Sequence, residues 1–219
     1  MFIGHFGVAF GAKRAAPPVS LGTLFLAAQF IDLLWPTLLL AGAETVRISP
    51  GTTTVTPLDF EYYPISHSLV AVLGWAILVG GVHFLLRREA RAALVIAALV
   101  VSHWLLDLLV HRPDLPLAPG SSTLLGLGAW SSLPLTLLLE VPLFVVGVWL
   151  YLSSTVAMDR QGSWALWALV GLLLVIYAAN IFGSAPPSIA AIAWAGQLQW
   201  LLVVWAYWVD RHRAIRGTA

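Results

Sequence analysis

His5, Asp32, His67, His103 and Asp107 are all metal-ligand types, and all sit inside or at the ends of apolar helical stretches. An ionisable group at the centre of a membrane span costs about 2.5–3.5 kcal/mol even on insertion scales, so each is a functional-site candidate. The segment Ser102-His103-Trp104-Leu105-Leu106-Asp107 places a His and an Asp at i and i+4. That spacing puts both side chains on one helical face, where they can reach one ion. The chain has no cysteine, which excludes disulfides and thiolate ligands and leaves His and carboxylate to bind any metal. Three His with one or two Asp suit Zn²⁺ or a similar divalent ion, which lowers the pKa of water toward about 7. That chemistry is metal-assisted hydrolysis.

The elements that must position these residues are membrane helices. Of the 219 residues, 60% are hydrophobic and 10% charged, against about 25% charged in soluble domains. Stretches long enough to span recur throughout, so residues 1–219 read as a single all-α, polytopic integral membrane domain. A net charge of +1 argues against a nucleic-acid partner. The opening Met1-Phe2-Ile3-Gly4-His5 lacks the charged region and cleavage site of a signal peptide.

A short membrane-embedded helix is predicted from Phe2 to Ala12. Six spans follow: Ser20 to Ala41, His67 to Leu86, Glu89 to His111, Pro134 to Ala157, Ser163 to Phe182 and Ser188 to Val209. Alternating topology gathers Lys13, Arg14, Arg87, Arg88, Arg91, Arg160, Arg211, Arg213 and Arg216 on one side, against Arg47 and Arg112 on the other. The positive-inside rule makes the larger group, and the C terminus, cytoplasmic. In the first outer loop, the β-branched runs Thr45-Val46-Arg47-Ile48 and Thr53-Thr54-Val55-Thr56 flank Ser49-Pro50-Gly51-Thr52. Pro then Gly suits a type II turn, so a small hairpin is expected, either as a lid or as a packed surface loop.

Orientation brings the polar residues to one depth. His103 lies two turns below the outer end of its span, about 12 Å down, with Asp107 one turn below that end. Asp32 lies roughly 14 Å below the outer end of the first span, and His5 about 12 Å above the cytoplasmic face. Glu140 reaches about 9 Å down the fourth span. His67 starts the second span, and Pro64 with Ser66 as a cap permits a sunken start. One cavity open to the outer face can hold all six. Each residue also has a plainer role: His5 or His67 as a polar packing contact, or the whole set as a metal-free Asp–His network. His111, about 12 Å from His103 along the helix, is a rim residue or part of a second ligand set. His83 reads as interfacial, Asn180, Gln197 and Gln199 as interhelical hydrogen-bonding residues, and Trp35, Trp130, Trp149, Trp164 and Trp208 as belt aromatics.

These residues, in this order, resemble a bacterial family of membrane-bound metal-dependent hydrolases, the YdjM-like family. The matching positions are His5, Gln29-Phe30-Ile31-Asp32, Tyr62-Tyr63-Pro64-Ile65-Ser66-His67-Ser68 and His103-Trp104-Leu105-Leu106-Asp107. Phe30 and Tyr62 replace an Asp and a His of the family pattern, leaving either a one-metal enzyme or a degenerate relative. The resemblance implies a metal-dependent hydrolase in the bacterial inner membrane.

Two functions are therefore carried forward. In the first, a divalent metal, Zn, sits on His5, Asp32, His67 and His103. Asp107 is then a further ligand or the carboxylate that orients His103, with Glu140 as general base. The substrate is amphiphilic, an ester or phosphoester reached from the bilayer. In the second, the protein is not an enzyme but a transporter with a His/Asp relay or a haem-binding anchor.

Overall fold

The computed structural model describes residues 1–217. Helices run α1 (Ile3–Ala15), α2 (Leu21–Ala28), α3 (Phe30–Leu40), α4 (Pro64–His67), α5 (Leu69–Arg87), α6 (Ala90–Val110), α7 (Leu133–Ser154), α8 (Arg160–Phe182), α9 (Ile189–Gln197) and α10 (Gln199–Arg211). Three two-stranded pairs complete the described elements: β1 (Thr45–Ile48) with β2 (Leu58–Tyr62), β3 (Leu115–Pro116) with β4 (Leu124–Leu125), and β5 (Thr155–Ala157) with β6 (Arg213–Ile215). Five helical stretches are long and apolar enough to cross a membrane, or six if the bent α2–α3 pair is one span. This is an all-α polytopic membrane protein.

Polar caps start the helices where the chain turns back. Ser20, Ser68, Asp159 and Ser188 each accept a hydrogen bond from the backbone N–H three residues on, satisfying a donor that hydrocarbon would leave unpaired. The cap of α5 is Ser68, two residues after the expected Ser66. His67 consequently ends the short α4 instead of opening the span.

Small residues set the packing. The buried α1 lies against α7, where a methyl at Gly147 would collide with the Gly7 backbone carbonyl. In the α5–α6 hairpin a Cβ at Gly80 would stand 2.9 Å from Ala93 O and Ala97 Cβ. Such contacts drive association in lipid, where burial of apolar surface gives no net gain.

Two spans differ from the sequence reading in shape. The first bends by 56° at Gln29, between α2 and α3. The last divides into α9 and α10 at Leu198. Pro36 within α3 has no N–H to give to the Asp32 carbonyl, and Gln199 Nε2 approaches that oxygen at 3.4 Å instead. Gln197 Nε2 donates to Thr37 Oγ1 at 2.8 Å. Thus α9 and the start of α10 are tied to α3 beside its break. The fourth span also ends early, because Thr155–Ala157 pair as a strand with Arg213–Ile215.

The expected hairpin forms with a different second strand. Thr52 N donates to Ser49 O at 3.1 Å and Gly51 has φ +89, as a type II turn requires. β1, however, pairs with Leu58–Tyr62. The Thr53–Thr56 run is diverted, because Thr54 N and Val55 N both donate to Trp130 O at 3.1 Å.

Candidate metal centre

His103 is oriented by the break in the first span. Its Nδ1–H donates to the carbonyl oxygen of Ala28 at 2.7 Å. Ala28 is the last residue of α2, and carbonyls in the last turn of a helix lack an intrahelical partner. In the neutral ring this bond fixes the tautomer and leaves the lone pair on His103 Nε2, which faces away from Ala28. The sequence reading offered Asp107 either as a further ligand or as the group orienting His103. In the structure Ala28 does this, and Asp107 faces the opposite nitrogen.

His67 is oriented by a relay that starts at Glu44. Ser66 Oγ donates to Glu44 Oε2 at 2.6 Å, so it accepts from His67 Nδ1 at 2.7 Å. Glu44 Oε1 accepts from the N–H groups of Ile65 and Ser66, both at 2.8 Å. Trp104 Nε1 holds the His67 carbonyl at 2.9 Å. His67 Nε2 is thereby left with a lone pair, like His103 Nε2.

Both lone pairs face carboxylates. His67 Nε2 lies 3.5 Å from Asp32 Oδ1 and 3.8 Å from Asp107 Oδ2. His103 Nε2 lies 3.6 Å from Asp32 Oδ1 and 3.2 Å from Asp107 Oδ2. Each imidazole–carboxylate pair at these distances is bridged either by a proton on Nε2 or by a metal ion between the two groups. The separations bracket about 3.3 Å, the edge of a tetrahedron with metal–ligand bonds of roughly 2.0–2.1 Å. Asp32, His67 and His103 offer ligand atoms within 4.8 Å of one another, as do His5, His103 and Asp107. His103 Nε2 is buried with no hydrogen-bond partner. The donor set and this orphaned nitrogen fit a divalent ion.

His5 joins the cluster differently. Its ring stacks on His103 with centroids 3.7 Å apart and planes 8° from parallel. Each lone pair lies in its ring plane, and nearly parallel stacked planes do not meet at one nearby ion, although His5 and His103 offer ligand atoms within 4.8 Å of each other. His5 Nε2 instead pairs with Asp107 Oδ1 at 3.1 Å. The Met1 amino nitrogen lies 2.5 Å from the same oxygen.

Glu140 is buried in α7, and its Oε2 accepts from Phe2 N at 2.8 Å and Gly4 N at 3.3 Å. It therefore anchors the start of α1 while lining the cavity next to the cluster. His111 is a rim residue: Nδ1 bonds Asp114 Oδ1 at 2.9 Å, and its ring packs on Trp130 and Phe60. Trp35 and Trp130, expected in the belt, are buried or half-buried around the site instead. Trp35 follows the α2–α3 bend inward and lines the cavity. Trp149 and Trp164 are exposed, as belt residues should be.

The cavity measures about 870 Å³. Asp32, His67, Asp107 and Glu140 border it, with α8, α9 and α10 forming its far wall. The hairpin closes its top. Phe60 of β2 packs against Trp35, Tyr63, His111 and Trp130. Asp59 pins the hairpin by binding Arg47 at 2.5 Å and, across the loop, Arg112. The Arg47 hydrogen bond, with help from Arg112, holds the Asp59 carboxyl below the usual carboxylate range.

Sequence reasoning missed Glu44, the Ala28 carbonyl and Tyr177. Glu44 reads as a loop carboxylate, and a backbone carbonyl has no sequence signature.

The family model described as YdjM inner membrane protein matches residues 63–186. That stretch is more than half of the chain and includes His67, His103, Asp107 and Glu140. No curated protein and no solved structure matches the chain.

Proposed function

The chain belongs to the YdjM inner membrane protein family, and from that premise we propose that it is a membrane-embedded, metal-dependent hydrolase. Its substrate is an amphiphilic ester or phosphoester met in the outer half of the bilayer. One observation supports the reading: two imidazole Nε2 atoms, each on a ring whose Nδ1 is already hydrogen-bonded, face two carboxylates at 3.2–3.8 Å.

Asp32, His67 and His103 would hold the ion, leaving a fourth position free as in catalytic zinc sites. A divalent ion there supplies Lewis acidity and lowers the pKa of water toward about 7. Asp107 Oδ2, 3.2 Å from His103 Nε2, would accept the proton released as the nucleophile forms. Its other oxygen is fixed by His5, so the carboxylate is held in place. We assign His5 to this positioning role and not to the ion. Glu140 lines the same cavity and is a second proton acceptor, in addition to anchoring α1. The apolar far wall favours a substrate with a hydrocarbon part.

Product analysis tests the proposal. Zinc-loaded protein in vesicles of bacterial phospholipid should release a fragment detectable by mass spectrometry, whereas loaded Asp107→Asn protein should not. No product from any ester or phosphoester lipid, with ion bound and fold intact, contradicts it.

A second reading rests on the helix breaks at Gln29 and Leu198. Broken helices around a buried polar site are also how secondary transporters bind ions. Metal-dependent uptake without product would favour it. The haem anchor has less support: Asp32 Oδ1 lies within 3.6 Å of both His67 and His103, where a porphyrin would need an apolar slot.

A further inference from the structure

The cavity has polar groups that neither the ion nor the helices use. Tyr177 Oη, Trp35 Nε1 and Gln199 Oε1 are buried without hydrogen-bond partners, and all three residues line the cavity. A buried polar group left unpaired costs stability, so these two donors and one acceptor are poised for a ligand.

The lining also changes character along its helices. Leu172, about 7.5 Å from Tyr177 along α8, and Trp205, about 9 Å from Gln199 along α10, continue it as apolar surface. The wall is open sideways as well. Leu198 and Leu201 line the cavity, yet are 61% and 63% exposed on the face that meets lipid. A cavity near the upper end of the usual 300–1,000 Å³ range for small-molecule sites holds one head group and one chain.

Resting on the hydrolase reading, we propose that the occupant is a single phospholipid of the hairpin-side leaflet, admitted sideways between α8 and the α9–α10 pair. Its polar head and apolar chains match the polar and apolar parts of the cavity lining. The phosphate and ester oxygens accept from Tyr177 and Trp35, while a head-group hydroxyl or amine donates to Gln199. One acyl chain follows Leu172 and Trp205, and the other stays in the bilayer through the mouth at Leu198 and Leu201.

The test is lipid retention. Protein purified in mild detergent from phosphatidylglycerol/phosphatidylethanolamine vesicles should retain about one phospholipid per chain by native mass spectrometry. Leu172→Trp, which fills the chain path, should lose it. Tyr177→Phe should weaken retention about fivefold, the worth of one neutral hydrogen bond. Bound metal is measured on the same samples and should not change, which shows that these variants fold. Wild-type protein without lipid, or Leu172→Trp retaining as much as wild type, overturns the inference. Retained lipid on a protein that binds no metal supports the lipid site and overturns the hydrolase reading, so the two failures are distinct.

Discussion

His103 and Ala28 are joined by a 2.7 Å hydrogen bond between α6 and the last residue of α2. The bend at Gln29 therefore has a chemical consequence. It leaves a carbonyl free to take the Nδ1 proton, which turns Nε2 toward Asp32 and Asp107. His67 is fixed in the same sense by Ser66 and Glu44. Two unrelated local structures thus deliver the same result.

Asp107→Asn should separate proton transfer from metal holding. If Asp107 lies beside the ion and not on it, the variant keeps the metal with affinity lowered about 10–100-fold and loses turnover. Zinc titration into chelator-stripped protein reads this directly. An empty site would make Asp107 a ligand. Unchanged affinity with only a lower melting temperature would make it structural.

Breaking the relay to His67 should loosen the site from a distance. Ser66→Ala removes the acceptor for Nδ1, and Glu44→Gln weakens the group that orients Ser66. Each should cost about 10–100-fold in metal affinity, as such supporting partners typically do. Glu44→Gln also weakens the cap on α4, so its melting curve should fall more than that of Ser66→Ala. Metal affinity equal to wild type in both variants would remove the relay from the account.

Much of the fold was legible in the sequence, because hydrophobic length reports directly on membrane spans. The spans emerged within a few residues, and the i, i+4 spacing of His103 and Asp107 located one wall of the cluster. Tertiary constraints hid the rest. The bend at Gln29 has no proline or glycine at its centre to announce it. Thr53–Thr56 has a strand's composition but is claimed by the Trp130 carbonyl. Trp35 and Trp130 follow the composition of a belt, yet the bend and the hairpin draw them into the site. The sequence marked His5 by its ligand type, but its stack on His103 and its hydrogen bond to Asp107 are tertiary contacts with no sequence signature.

The hairpin lock should resist mild acid. Arg47 lowers the pKa of Asp59 in the folded state. Its contribution is therefore complete above the unfolded value of about 3.9 and is lost only as pH falls through the lower folded value. Hydrogen exchange at Val46 and Phe60 should stay protected from pH 7 to 5 and weaken only below about pH 4. Asp59→Asn should lose protection at every pH. Opening of the wild-type hairpin near pH 6 would show that another group holds it.

Nine of the eleven Lys and Arg residues fall on one side of the alternating topology. With that side cytoplasmic, Ser122→Cys in the α6–α7 loop should react with an impermeant maleimide in intact cells. Glu89→Cys, between α5 and α6, should react only after lysis. The reverse pattern would place the hairpin and the cavity mouth in the cytoplasmic half.

Metal content tests the central claim most directly. Wild-type protein purified without chelator should carry about one divalent ion per chain, and chelator-stripped protein should take one up on titration with zinc. His103→Ala, with its fold checked by circular dichroism, should lose most of that capacity. A folded wild-type protein that is metal-free and takes up none would mean that protons, and not a metal, sit between the imidazoles and the carboxylates.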